Sequence, residues 1–156
     1  MPERPDDPYV GAMGSGRATA PLVGGCLWLL RETLATPWEV DVEGSILFFE
    51  DVHCPPWYVD GILTQLANAG KLAGVAGVVI GEMYQCEGWR ENKPWLRGRS
   101  MEDVFERHLA PLGVPVLFNL PLGHGKHLCT IPLGVSATLD ADARTLAFDE
   151  PALSPG

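Results

Sequence analysis

Hydrophobic and polar positions alternate along this chain with two periods, and the switches between them outline its elements. Residues 46–49, 75–80 and 114–118 are continuous apolar runs, the pattern of strands covered on both faces. Between them the period lengthens. Leu27, Leu30 and Leu34, with Trp28 beside them, share one helical stripe that Thr36-Pro37 ends, and Val59, Ile62, Leu63 and Leu66 form a second, stopped at Gly70. Ser100-Met101-Glu102-Asp103 resembles a capping box with aspartate in place of the usual glutamate or glutamine, and opens a helix through about Leu109. Gly113 closes that helix. Residues 17–23 predict a short strand, with Gly24-Gly25 turning into the first helix. Residues 82–99 read as a long loop carrying Trp89 and Trp95, and residues 130–139 and 145–148 as half-exposed, antiparallel strands. Helices between apolar strands predict an α/β domain with a mostly parallel core sheet and a short antiparallel C-terminal sheet.

Length and composition narrow the classes. The 156 residues suffice for one domain with a real core. Residues 1–16, rich in Pro, Gly and Asp, read as a tail or interdomain linker, 17–150 as the domain and 151–156 as a second tail. A formal charge of −9 disfavours nucleic acid and anionic membranes as partners. With no signal-peptide pattern and no long apolar run, a cytoplasmic protein is expected. Cys26, Cys54, Cys86 and Cys129 show no paired spacing and read as free thiols. His53, Cys54, His124, His127 and Cys129 lack a structural-zinc spacing, so neither a metal nor an organic cofactor is expected.

Two segments carry the candidate chemistry. Glu50 follows the apolar run 46–49, and His124 lies in Leu120-Pro121-Leu122-Gly123-His124-Gly125. In an open α/β sheet ligands collect beyond the carboxyl ends of strands, where a carboxylate that accepts from an imidazole N–H makes the base half of a triad. Asp51 rivals Glu50 for the acid. His53, His108 and His127 rival His124, although His108 lies among helix charges and reads as exposed. The bland reading has Glu50 capping a helix and His124 as a plain loop residue. Neither Ser15, Ser45, Ser100, Ser136 nor Ser154 sits in a nucleophile elbow, so the chain holds no recognisable nucleophile.

Several stretches together resemble one family. The segment from Pro21 to Leu27, the run from Ile46 to Val52, the helix from Tyr58 to Leu66 with Ala69-Gly70, and Leu120 to Gly125 followed by Ile131-Pro132-Leu133-Gly134 look like the C-terminal domain of the LD-carboxypeptidases. That family includes the murein tetrapeptide carboxypeptidases and the microcin C self-immunity proteins. The resemblance implies a swivelling β/β/α-type domain, Glu50 and His124 as acid and base of a Ser-Glu-His triad, a serine on an N-terminal domain absent from this chain, and a homodimer. It implies hydrolysis of the bond before the terminal D-alanine of murein tetrapeptides, or of a microcin-like peptidyl-nucleotide; a non-catalytic binding module of the same fold is the alternative. Cys26 departs from the asparagine that often follows the two glycines. Its thiol, at a helix start, is a weak rival nucleophile. The residues that bind substrate are not assigned by the resemblance.

Overall fold

The computed structural model describes residues 9–86 and 100–153. Seven strands form one sheet: β1 (Gly11–Met13), β2 (Arg17–Cys26), β3 (Ile46–Val52), β4 (Gly77–Tyr84), β5 (Val116–Phe118), β6 (Ser136–Asp140) and β7 (Thr145–Phe148), in the order β1-β5-β4-β3-β2-β6-β7. The four central strands, β5-β4-β3-β2, are parallel. Antiparallel pairs extend the sheet at both ends, β1 on β5 and β6 with β7 beyond β2. Three helices, α1 (Leu27–Glu32), α2 (Pro56–Asn68) and α3 (Met101–Leu109), follow β2, β3 and β4.

Strand alternation sorts the core into two faces. Leu47 and Phe49 of β3, with Val78 and Ile80 of β4, pack against Leu27, Leu30, Val59, Ile62, Leu63, Leu66, Val104, Phe105 and Leu109 of the helices. Ile46, Phe48 and Val79 point the other way, to Leu22, Leu117, Ala137, Leu139, Leu120 and Leu122. The second face has no helix in its cluster; β2 and β6, together with the segment carrying Leu120 and Leu122, cover it. The capping box forms in full, with the Asp103 amide donating to Ser100 Oγ at 3.0 Å and the Ser100 amide to Asp103 Oδ2 at 2.6 Å. Gly113 adopts the left-handed conformation that ends the following 3-10 turn (φ 67°).

The structure corrects several expectations. Gly11–Met13, inside the expected linker, adds to the sheet because a partner distant in sequence, Val116–Phe118, offers its free edge. Gly24 and Gly25 lie within β2 instead of forming a turn; their positive φ values, 138° and 154°, carry the strand past Phe48, whose carbonyl occupies the place of a Gly24 Cβ. Helix α1 stops at Glu32, short of Thr36-Pro37, and Trp28 stacks at 5.0 Å on Tyr58 instead of joining Leu27 and Leu30 in the core. The strand expected from residue 130 begins only at Ser136. Glu82, Met83 and Tyr84 belong to β4, not to a loop. Trp89 and Trp95 lie outside the described residues.

Candidate active site

Glu50 leaves β3 on the face opposite the helices and is 5% exposed. A buried carboxylate requires donors, and the segment after β5 brings them. Asn119 turns in the left-handed region (φ 67°), and the Leu120 amide donates to Ile80 O at 3.2 Å. The Glu82 amide then donates to Leu122 O at 2.9 Å, and Glu82 bridges Gly123. Thus laced to β4, the chain delivers His124 to Glu50. The imidazole Nδ1–H donates to Glu50 Oε2 at 2.7 Å, and the His124 backbone amide donates to the same oxygen at 3.2 Å.

This geometry fixes the tautomer, since a carboxylate only accepts and Nδ1 must carry the proton. Nε2 is left to accept, on a side chain 54% exposed. Gly123 has φ 99°, and a Cβ there would overlap the Glu50 carboxylate; either reason alone favours glycine. Gly125 is pressed against a second buried carboxylate, that of Glu82, which would also overlap an added Cβ.

The rivals for these roles stand elsewhere. Asp51 faces the helices: its Oδ2 accepts from the Trp28 amide at 3.0 Å and Oδ1 from the Val52 amide at 2.8 Å, so it supplies the cap that Cys26 does not give α1. The helix-capping role weighed for Glu50 thus falls to its neighbour. His108 is not the exposed residue its helix suggested; its side chain is 9% exposed, and Nε2 lies 2.7 Å from Asp60 Oδ1. His53 takes a left-handed turn (φ 56°) after β3, its amide donating to Tyr84 O at 3.0 Å, and His127 is exposed. Among the described residues no serine hydrogen-bonds His124, and no group of three or more His, Cys, Asp or Glu side chains is gathered to hold a metal.

Cys26 pairs in register with Glu50. Burial pushes its thiol pKa up; the Leu29 and Trp28 amides pull it partly back, while Asp51 and Glu50 add to the rise. A thiol held in its neutral form is a poor nucleophile. Glu82 was missed in the sequence reading. The signal resembled that of Glu50, a carboxylate close behind a buried apolar run, here with Gly81 between.

Against known proteins, the profile of the LD-carboxypeptidase C-terminal domain matches residues 19–139. The chain belongs to the LD-carboxypeptidase family. A Streptomyces coelicolor protein that carries a carboxypeptidase name is 43% identical over 90% of this chain and 43% of its own length. A Bacillus subtilis protein named for murein peptide carboxypeptidase activity is 35% identical over 86% of this chain and 41% of its own length. The crystal structure of muramoyltetrapeptide carboxypeptidase from Oxalobacter formigenes superposes with a TM-score of 0.75 at 28% identity, covering 94% of this chain and 50% of that one. This LD-carboxypeptidase domain thus spans less than half the length of the two sequence relatives. Among its described residues, no helix is long and apolar enough to cross a membrane.

Proposed function

We propose that this chain is the C-terminal half of a serine LD-carboxypeptidase that releases the terminal D-alanine of murein tetrapeptides. It supplies the acid, Glu50, and the base, His124, of a Ser-Glu-His triad. The serine and the oxyanion-hole amides come from an N-terminal half, matching the length by which the relatives exceed this chain.

The observation that carries this reading is the Glu50–His124 pair. A buried carboxylate holds Nδ1–H at 2.7 Å while the other edge of the ring faces outward. In such an arrangement Nε2 removes the proton of an incoming serine hydroxyl, and Glu50 stabilises the imidazolium that results. The serine oxygen bonds to the carbonyl carbon before D-alanine. His124 then hands the proton to the leaving amine, and water, activated by the same ring, releases the acyl group from the serine. No step requires a metal.

The test is mass-spectrometric detection of D-alanine released from a murein tetrapeptide. This chain is assayed alone and after addition of an N-terminal half from a related enzyme. Release on complementation only is expected. Release by the chain alone would refute the assignment of the nucleophile to a second half, and silence in both would remove the carboxypeptidase reading.

A further inference from the structure

Past a bulge between Phe49 and Asp51, β3 and β4 pair again, Asp51 with Met83 and Val52 with Tyr84. Both strands then end in the same way. His53 and Gln85, the next residue of each, take left-handed turns with φ values of 56° and 55°, a conformation uncommon for side chains of their size. The His53 amide donates to Tyr84 O at 3.0 Å and keeps the two turns level. One residue further along each chain stands a cysteine. Cys54 is 4% exposed and Cys86 0%, and both belong to the core on the helix side of the sheet, away from Glu50 and His124.

The two thiols are neighbours. The Cys54 amide donates to Cys86 Sγ at 3.3 Å, and the same sulfur lies 3.4 Å from Tyr84 O and 3.6 Å from Asp51 O. Continuing the register by two residues beyond Val52↔Tyr84 sets Cys54 opposite Cys86. Neighbouring strands run about 5 Å apart, a spacing inside the Cα separation of about 4.4–6.8 Å that a disulfide accepts.

We propose that Cys54 and Cys86 are a redox pair that closes to a disulfide when a peroxide oxidises the reduced protein. The amide N–H on Cys86 Sγ favours the sulfur anion, whereas burial, with Asp51 and then Cys86 adding to it, holds the Cys54 thiol neutral. The first attack therefore falls to Cys86. Its sulfur bonds to one peroxide oxygen, the O–O bond breaks, and the departing hydroxide takes up the Cys86 proton as water, leaving a sulfenic acid. Cys54 sulfur then bonds to Cys86 sulfur, the S–O bond breaks, and the second hydroxide leaves as water with the Cys54 proton. Two thiols have lost two electrons and two protons, and the peroxide has become two waters. Hydrogen peroxide is little larger than water, so local opening admits it where alkylating reagents are shut out. The link ties the end of β3 to the end of β4, the strands that carry Glu50 and Glu82, and closes residues 54–86 into a loop, which restricts the unfolded chain most.

The reduced chain treated with hydrogen peroxide tests this. Remaining thiols are blocked in denaturant, and unreduced peptides are mapped by mass spectrometry. A Cys54–Cys86 peptide pair is expected, with the melting temperature raised by about 5–10 °C and both changes undone by dithiothreitol. Cys26→Ser is expected to close the link as wild type does, and Cys86→Ser to lose both the link and the rise in melting temperature. Unlinked Cys54 and Cys86 after oxidation would overturn the inference. So would a link from Cys54 to Cys26 or Cys129, or a Cys54–Cys86 link that leaves the melting temperature where it was. The map of wild type needs no variant to fold, and none of these readouts depends on the carboxypeptidase reading.

Discussion

The two faces of the central sheet use the same strands for different ends. On the helix face, Leu47, Phe49, Val78 and Ile80 meet three helices through apolar contact, and the polar groups there, such as Asp51 on the α1 amides, serve backbone satisfaction. On the other face Glu50 and Glu82 leave the same two strands, and a segment with glycines on both sides of His124 is pressed against them. One face is held by area removed from water. The other has an apolar cluster of its own around Ile46, Phe48 and Val79, but at the site backbone approaches carboxylate closely, tolerant of few side chains and able to present an imidazole. The contrast teaches that a single peptide step, from Glu50 to Asp51, separates the candidate chemistry from the scaffold.

The largest expected separation comes from the site face. In the assembled enzyme, Glu50→Gln or His124→Ala is expected to lower kcat by at least about 10³-fold, with thermal unfolding close to wild type; a loss below about tenfold would sink the triad assignment. The helix face behaves in the opposite manner. Phe49 is fully buried and meets Phe105 edge-on with ring centroids 6.1 Å apart, so Phe49→Ala is expected to cost about 3–5 kcal/mol in urea unfolding. Activity per folded molecule should hardly change.

A pair of glycines sharpens the comparison at smaller amplitude. Gly123 and Gly70 both have positive φ, 99° and 76°, but a Cβ at Gly70 meets open space whereas one at Gly123 meets Glu50. Gly70→Ala is expected to cost about 1–2 kcal/mol of stability and leave turnover intact. Gly123→Ala adds displacement of the ring, and about 10²-fold in kcat/KM is expected to go with it. Equal turnover in the two variants would show that the Glu50 contact does not set the position of His124.

The sequence displayed the helix face well and the site face in part. Periodicity places Leu27, Ile62 and Leu66 because each element's burial pattern is local, and Glu50 and His124 stand out through the run before one and the glycines around the other. Glu82 follows a comparable run, but the face it takes could not be read in this way. Its orientation depends on a bulge defined by pairing with β3, which a period of two within β4 does not record. Asp51 caps a helix that begins 24 residues earlier, and β1 exists only through β5. In each case the deciding partner lies far away along the chain.

The smallest effect concerns the cysteines, which also divide by location. Cys54 and Cys86 are buried in the helix-face core, Cys26 is half-buried beside Glu50, and Cys129 is exposed. Burial, with Asp51 and then Cys86 adding to it, pushes the Cys54 thiol up to about 12 from 9.0. At pH 8 alkylation of the native protein is therefore expected to mark Cys129 first, Cys26 more slowly and Cys54 only on unfolding; preferential labelling of Cys26 would revive it as a nucleophile. The same shift has a sign in stability. The folded state holds the Cys54 proton longer than the unfolded chain, so its contribution is fully present below pH 9.0 and is lost as pH rises towards about 12. The melting temperature should fall more steeply above pH 9 in wild type than in Cys54→Ala, and identical slopes would show that this thiol is not desolvated as the core packing requires.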